Sequence, residues 1–217
     1  MLSNLFSRYS FLFMLGFSPF YLLSCHQQAK SEKKVKATVD KISNRIVLQP
    51  FSDFTKADAH KISEKLKKLG LKTEVAEPIK HPSSAWRVGR ARYRADSLIR
   101  YLSGFTSEGD ITIGLTNYDV STTKDGKEDW GVMGLGFRPG KACVISTFRI
   151  KGKNREEKFV KVIVHEFGHT RGLDHCLNKT CLMRDAEGKD HLDEETGFCK
   201  TCASTLKTRG YNIYSKG

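Results

Sequence analysis

The sequence predicts an α+β fold, α/β-like in its element order: a twisted mixed β-sheet backed by helices, with a closing helix that carries the chemistry. From residue 44 onward, apolar strand-like runs alternate with amphipathic helical stretches, and a hairpin candidate precedes the last helix. The one long apolar run lies at the extreme N-terminus, which excludes a polytopic membrane protein. The 217-residue length suits one domain plus some extra sequence, and 13 Phe with 7 Tyr are enough to build its core.

The first segment reads as an address. Arg8 precedes thirteen mostly apolar residues, Phe11 to Leu23. A spanning helix needs about 20 residues, and Pro19 would disturb one. A basic start, a short apolar run and a small residue before the cut make residues 1–24 a secretory signal. Leu22-Leu23-Ser24-Cys25 resembles a bacterial lipobox, with Cys25 the lipidated first residue of the mature chain. That implies an exported lipoprotein, membrane-anchored in a bacterial cell envelope; the alternative is a plain signal or short anchor with an incidental cysteine. Residues 25–43 are polar, Lys-rich and without hydrophobic periodicity, a flexible tether to a domain over 44–217.

Within that domain, Arg45–Pro50 is a short apolar run ended by proline, a buried strand candidate. Ala57–Leu69 carries Ala59, Ile62, Leu66 and Leu69 on one face and stops at Gly70, the pattern of an amphipathic helix. Leu71–Ala76 alternates as a second strand. Arg90–Leu102 predicts a helix with Ala95, Leu98, Ile99 and Leu102 inward and Gly104 as terminator. Asp110–Thr116 reads as a third strand. Trp130–Phe137 and Ala142–Phe148 flank Arg138-Pro139-Gly140-Lys141 as a hairpin candidate. In the last helix, Asn154 predicts an N-cap with Glu157 completing a capping box. Phe159, Val160, Ile163, Val164 and Phe167 form its apolar face, and Arg171-Gly172 ends it.

The formal charge of +13 raises an anionic partner. Its distribution weakens that idea: residues 101–217 hold 18 basic against 16 acidic residues, so the excess lies upstream. No nucleic-acid motif accompanies it, and no specific nucleic-acid partner is expected. Attraction to anionic lipid or plain solubility is the modest reading. Asp125–Asp129 lacks the oxygen spacing of an EF-hand.

The strongest signal is His165-Glu166-Phe167-Gly168-His169. Imidazoles at i and i+4 leave one helix face a turn apart and suit one zinc, with Glu166 placed to take a proton from a water on that zinc. Gly172 then breaks the helix and His175 comes three residues later, matching the metzincin signature HExxHxxGxxH. Three neutral nitrogen ligands leave a fourth tetrahedral position for water, whose pKa zinc lowers to about 7. Next come Cys176, Cys181, Cys199 and Cys202, two close pairs that fit a structural zinc site or, in an exported chain, two disulfides. Cys143 reads as a small buried residue. His26, His60, His81 and His191 lack partners at ligand spacing and read as surface residues. Asp174 is either an orienting group for a ligand or a solvated turn residue.

Across about 38 residues, His165-Glu166-x-x-His169-x-x-Gly172-x-x-His175-Cys176, Cys181-Leu182-Met183 and Cys199-x-x-Cys202 resemble the archaemetzincins. Fainter echoes lie in Tyr93–Ile99 and Trp130–Gly134. The resemblance implies a compact metzincin-like zincin fold and two zinc ions per chain, one catalytic and one held by Cys176, Cys181, Cys199 and Cys202. It also makes Met183 the Met-turn residue flooring the catalytic site; by spacing alone it is an ordinary core methionine. Fifteen residues separate Met183 from Cys199, a somewhat shortened loop, and no Tyr stands two residues beyond Met183. The function implied is hydrolysis of a peptide or protein substrate laid along an edge strand at Gly131–Phe137, with Glu166 as general base. Endo- and exo-cleavage both stay open, and a zinc-binding scaffold or sensor with little hydrolysis is the alternative.

Overall fold

The computed structural model describes residues 44–213. The signal 1–24, Cys25, the tether and His26 lie outside the described residues. Each strand of the main sheet buries a different set of residues on each face, and this alternation sets the layering. The sheet contains β1 (Ile46–Pro50), β2 (Thr73–Val75), β5 (Ile111–Thr116), β8 (Gly134–Gly136) and β9 (Ala142–Ser146). Their order is β2-β1-β5-β9-β8, parallel except for antiparallel β8 at one edge. Ile111, Ile113, Cys143 and Ile145 face α1 (Lys56–Lys68) and α3 (Arg155–Thr170) in one core; Ala142 and Val144 face α2 (Ala95–Ser103) in a second. Period-two alternation in a doubly covered sheet produces this.

α1 begins at Thr55, whose hydroxyl accepts a 3.0 Å bond from the Asp58 amide, and it buries Ala59, Ile62 and Leu66 as the periodicity predicts. Ser63 on α1 and Thr73 on β2 bond at 2.7 Å, fixing helix to sheet. The second strand is shorter than expected, only Thr73–Val75.

A second mixed sheet, order β3-β4-β6-β7, is absent from the sequence expectation. It comprises β3 (Trp86–Arg87), β4 (Arg92–Arg94), β6 (Val120–Lys124) and β7 (Lys127–Val132). Asp125 (φ 50°) and Gly126 (φ 74°) join β6 to β7 with two left-handed residues, as a two-residue hairpin demands. This sheet corrects two expectations. Arg92–Arg94 is strand rather than helix, because Tyr93 pairs with Trp86 and Val120, so α2 starts at Ala95. Trp130–Val132 pairs with β6, not β9, so the predicted hairpin shrinks to β8 and β9. Buried Asp119 ties the sheets, accepting from Arg149 at 2.7 and 2.9 Å and pairing with Arg92 at 3.1 Å.

Asn154 also departs from expectation. It adopts φ 58°, ψ 32° and its side chain caps nothing, because the chain enters α3 through a left-handed turn. Glu156 and Glu157 still sit in the positive first turn, and Asn154 supplies only its carbonyl, to the Lys158 amide. His81 is not a surface residue. Its side chain is 3% exposed, stacked between Phe51 and Tyr93 at 4.4 and 4.3 Å and bonded to Thr116 at 3.0 Å. His60 is exposed, and His191 pairs with Glu194 at 3.2 Å.

After α3 the chain runs to α4 (Lys200–Thr208) with little regular structure. Two cations on α3 hold this segment. Lys158, buried, pairs with Asp190 at 2.9 Å and Asp193 at 2.7 Å, and Lys161 donates to the Leu192 carbonyl at 2.6 Å. Among the described residues, no helix is long and apolar enough to cross a membrane.

Ile113, fully buried on the central strand, tests this layering. Ile113→Ala should cost about 2–5 kcal/mol and Ile113→Val about 0.5–1.5 kcal/mol. Both should appear as a lower urea midpoint with an unchanged slope.

Candidate metal centre

His165 and His169 project from the same face of α3, and Gly172 (φ 77°) turns the chain so that His175 returns to them. Their side-chain ligand atoms all lie within 4.8 Å of one another. Each Nδ1 is occupied. That of His165 donates to the Leu182 carbonyl at 2.6 Å and that of His169 to the Leu173 carbonyl at 2.9 Å. That of His175 faces the Asp185 carboxylate at 3.1 Å. Carbonyl acceptors fix the proton on Nδ1 and leave Nε2 a lone pair.

The Nε2 atoms of His165 and His169 are 3.1 Å apart. Two nitrogens on a tetrahedral zinc at about 2.05 Å stand roughly 3.3 Å apart, so the cradle fits that ion. Burial holds the His165 imidazole down at about 4, and burial likewise lowers His169, so both imidazoles are neutral at pH 7.

Glu166 is buried against β8. Burial pushes its carboxyl up to about 8, opposed by the Gly136 amide that bonds to it. A divalent cation bound nearby would favour the carboxylate. The contact requires glycine on β8. A Cβ at Gly134 would lie 2.7 Å from Glu166 Cγ, and one at Gly136 2.7 Å from the Glu166 carbonyl. β8 is therefore the edge strand beside Glu166, a shorter one than the predicted Gly131–Phe137.

Met183 is fully buried against the same helix, its sulfur 2.4 Å from where a Cβ on Gly168 would stand. Its carbonyl accepts from the Cys176 amide at 2.7 Å, which links this turn to the residue after His175.

Cys176, Cys181, Cys199 and Cys202 form the second cluster, and all are free thiols. The Cys176 and Cys199 sulfurs are 3.7 Å apart. Thiolates on one tetrahedral zinc at about 2.3 Å stand roughly 3.8 Å apart, whereas a disulfide needs about 2.05 Å. Burial raises the Cys181 thiol, and its Sγ accepts from the Met183 and Cys199 amides at 3.5 and 3.3 Å, bonds that oppose that shift. Cys143 is fully buried on β9, and burial raises its thiol well above the ordinary range.

Asp174 does not reach an imidazole nitrogen; it is exposed and ion-paired with Arg138. The group at His175 is Asp185, which the sequence reading missed. No spacing rule marks it, since it lies ten residues from the ligand and meets it only through the fold of the Met183 turn.

A family model described as Peptidase family M54 matches residues 34–208. The chain belongs to peptidase family M54. The archaemetzincin of Halobacterium salinarum is 33% identical over 138 residues, 58% of this chain and 77% of that protein. The Methanopyrus kandleri archaemetzincin is 31% identical over 150 residues, 67% of this chain and 82% of that protein. Its crystal structure gives a TM-score of 0.65 at 26% identity, covering 77% of this chain and 96% of that one. The Archaeoglobus fulgidus archaemetzincin structure gives 0.61 at 26%, covering 74% and 99%. The resemblance read from the cysteine and histidine spacing, and the metzincin-like fold it implied, agree with these relatives.

Asp185→Ala should weaken zinc binding at the three-histidine cluster by about 10–100-fold in chelator competition. Asp185→Asn, which keeps an acceptor for the His175 Nδ1 proton, should lose less.

Proposed function

We propose that the chain is a zinc-dependent peptidase with Glu166 as general base, and that His165, His169 and His175 hold the catalytic zinc. One observation supports this most strongly: the helix that carries two of the three clustered imidazoles also carries a buried carboxyl group, held against a sheet edge that glycines bring into contact with it. Zinc bound in the cradle polarises a substrate carbonyl and acidifies water. The residues of the chain do the rest. β8 is an edge strand, and an extended peptide adding to its outer side would have its scissile bond oriented there. Glu166 takes the proton from the attacking water and delivers it to the leaving amine. The Leu182 and Leu173 carbonyls and Asp185 keep the imidazoles aimed, and Met183 closes the floor.

Cys176, Cys181, Cys199 and Cys202 hold a second, structural zinc in this reading. Four thiolates close the coordination sphere and leave no position for a reacting water. The N-terminal signal and the lipobox-like Leu22–Cys25 support export and a lipid anchor on Cys25, with the peptidase domain tethered at a membrane.

Glu166→Gln should retain both zinc ions by metal analysis while peptide cleavage falls by about two to four orders of magnitude. Cleavage equal to wild type would remove Glu166 from the mechanism; two zinc ions without cleavage in either protein would favour the scaffold or sensor reading. For the anchor, Cys25→Ser should move the protein from the membrane fraction to the soluble fraction on cell fractionation. An unchanged membrane fraction would count against lipidation.

A further inference from the structure

We propose that Arg138 determines specificity by binding a carboxylate of the peptide substrate, exchanging it for Asp174. The proposal deepens the peptidase reading and rests on it.

Arg138 lies two residues beyond Gly136, the residue whose amide meets Glu166. An extended peptide on the edge of β8 therefore passes it. Its turn is fastened to the last turn of α3: the Gly140 amide donates to the Thr170 carbonyl at 3.1 Å, and Arg171 donates to the Gly140 carbonyl at 2.9 Å. From the opposite side comes Asp174, the residue before His175, and the two form an ion pair. Asp174 directly precedes His175 in the chain, which places the pair beside the histidine cluster.

The nearby arginines differ in how they are used. Arg171 is bound to the Gly140 carbonyl and Arg209 to the Arg171 carbonyl, so both serve the backbone. Arg138 is half exposed, and Asp174 is 75% exposed. A solvated pair contributes little net free energy, so another carboxylate can replace Asp174 at small cost. A guanidinium matches a carboxylate through two parallel N–H bonds, and β8 would bring that carboxylate along the edge. An acidic side chain or the C-terminal carboxylate of the substrate supplies the same chemistry.

The test uses zinc-loaded protein and quenched fluorescent peptides in two series. One exchanges Glu for Gln at each position flanking the scissile bond; the other exchanges a C-terminal acid for its amide. Wild type should favour the carboxylate member of one series by about 10–100-fold in kcat/KM. The responding series identifies a side chain or a terminus as the ligand. In Arg138→Ala the ratio should fall to about 1, in Arg138→Lys it should be partly kept, and in Arg138→Glu it should reverse toward the neutral member of the series. The same peptides titrated onto zinc-loaded Glu166→Gln, with and without Arg138→Ala, read binding by fluorescence anisotropy. Absence of any cleavage by wild type would sink the peptidase reading, while this binding comparison would still decide the role of Arg138. No carboxylate preference in wild type, or a preference surviving Arg138→Ala in both assays, overturns the proposal.

Discussion

The site depends on how closely its neighbours approach α3. Three glycines set those distances: Gly134 and Gly136 on β8, and Gly168 within the helix itself. A side chain on β8 would push the sheet edge away from Glu166, and one at Gly168 would collide with the Met183 sulfur. Glycine in a helix interior costs about 1 kcal/mol against alanine, and in a short strand it contributes no packing. The fold accepts both weaknesses at one place, around the most deeply buried carboxylate near the cluster. Helix, edge strand and the Met183 turn are thereby packed in direct contact.

Polar satisfaction explains why the irregular segment after α3 can hold ligands. Buried imidazoles need partners for their outer nitrogens, and the carbonyls of Leu173 and Leu182 provide them. Both carbonyls belong to chain that has left the helix, so the two helix imidazoles are oriented by residues C-terminal to them. Lys158 and Lys161 secure the farther part of the same segment to the face of α3 that bears the histidines. One face of α3 thus carries the two imidazoles and, one to two turns nearer its N-terminus, the lysines that anchor the returning chain.

The parts legible in sequence were those governed by local periodicity. The i, i+4 histidines, the glycine break and the paired cysteines report positions fixed within one or two turns of chain, and the strands of the doubly covered sheet announce themselves as apolar runs. The second sheet did not, because β4, β6 and β7 carry Arg, Thr, Lys and Asp on exposed faces and gain their stability from pairing and from Arg92 and Arg149 on Asp119. Asn154 looked like a cap because its neighbours fit the motif; the turn entering the helix decided its conformation instead. His81 looked solvated because no ligand partner stands nearby in sequence, whereas Phe51 and Tyr93 enclose it from distant strands. Asp185 and the Arg138–Asp174 pair arise from contacts between segments, which no spacing records.

His175 and Cys176 are consecutive, so one peptide bond joins the two candidate metal clusters. Ordering the four sulfurs fixes the backbone from which the third imidazole hangs, and Cys176 further anchors it through its amide on Met183. The conformational entropy lost in organising one cluster is then already lost for the other, which is positive thermodynamic linkage. Order among the sulfurs is thus transmitted to the third imidazole through a single covalent link.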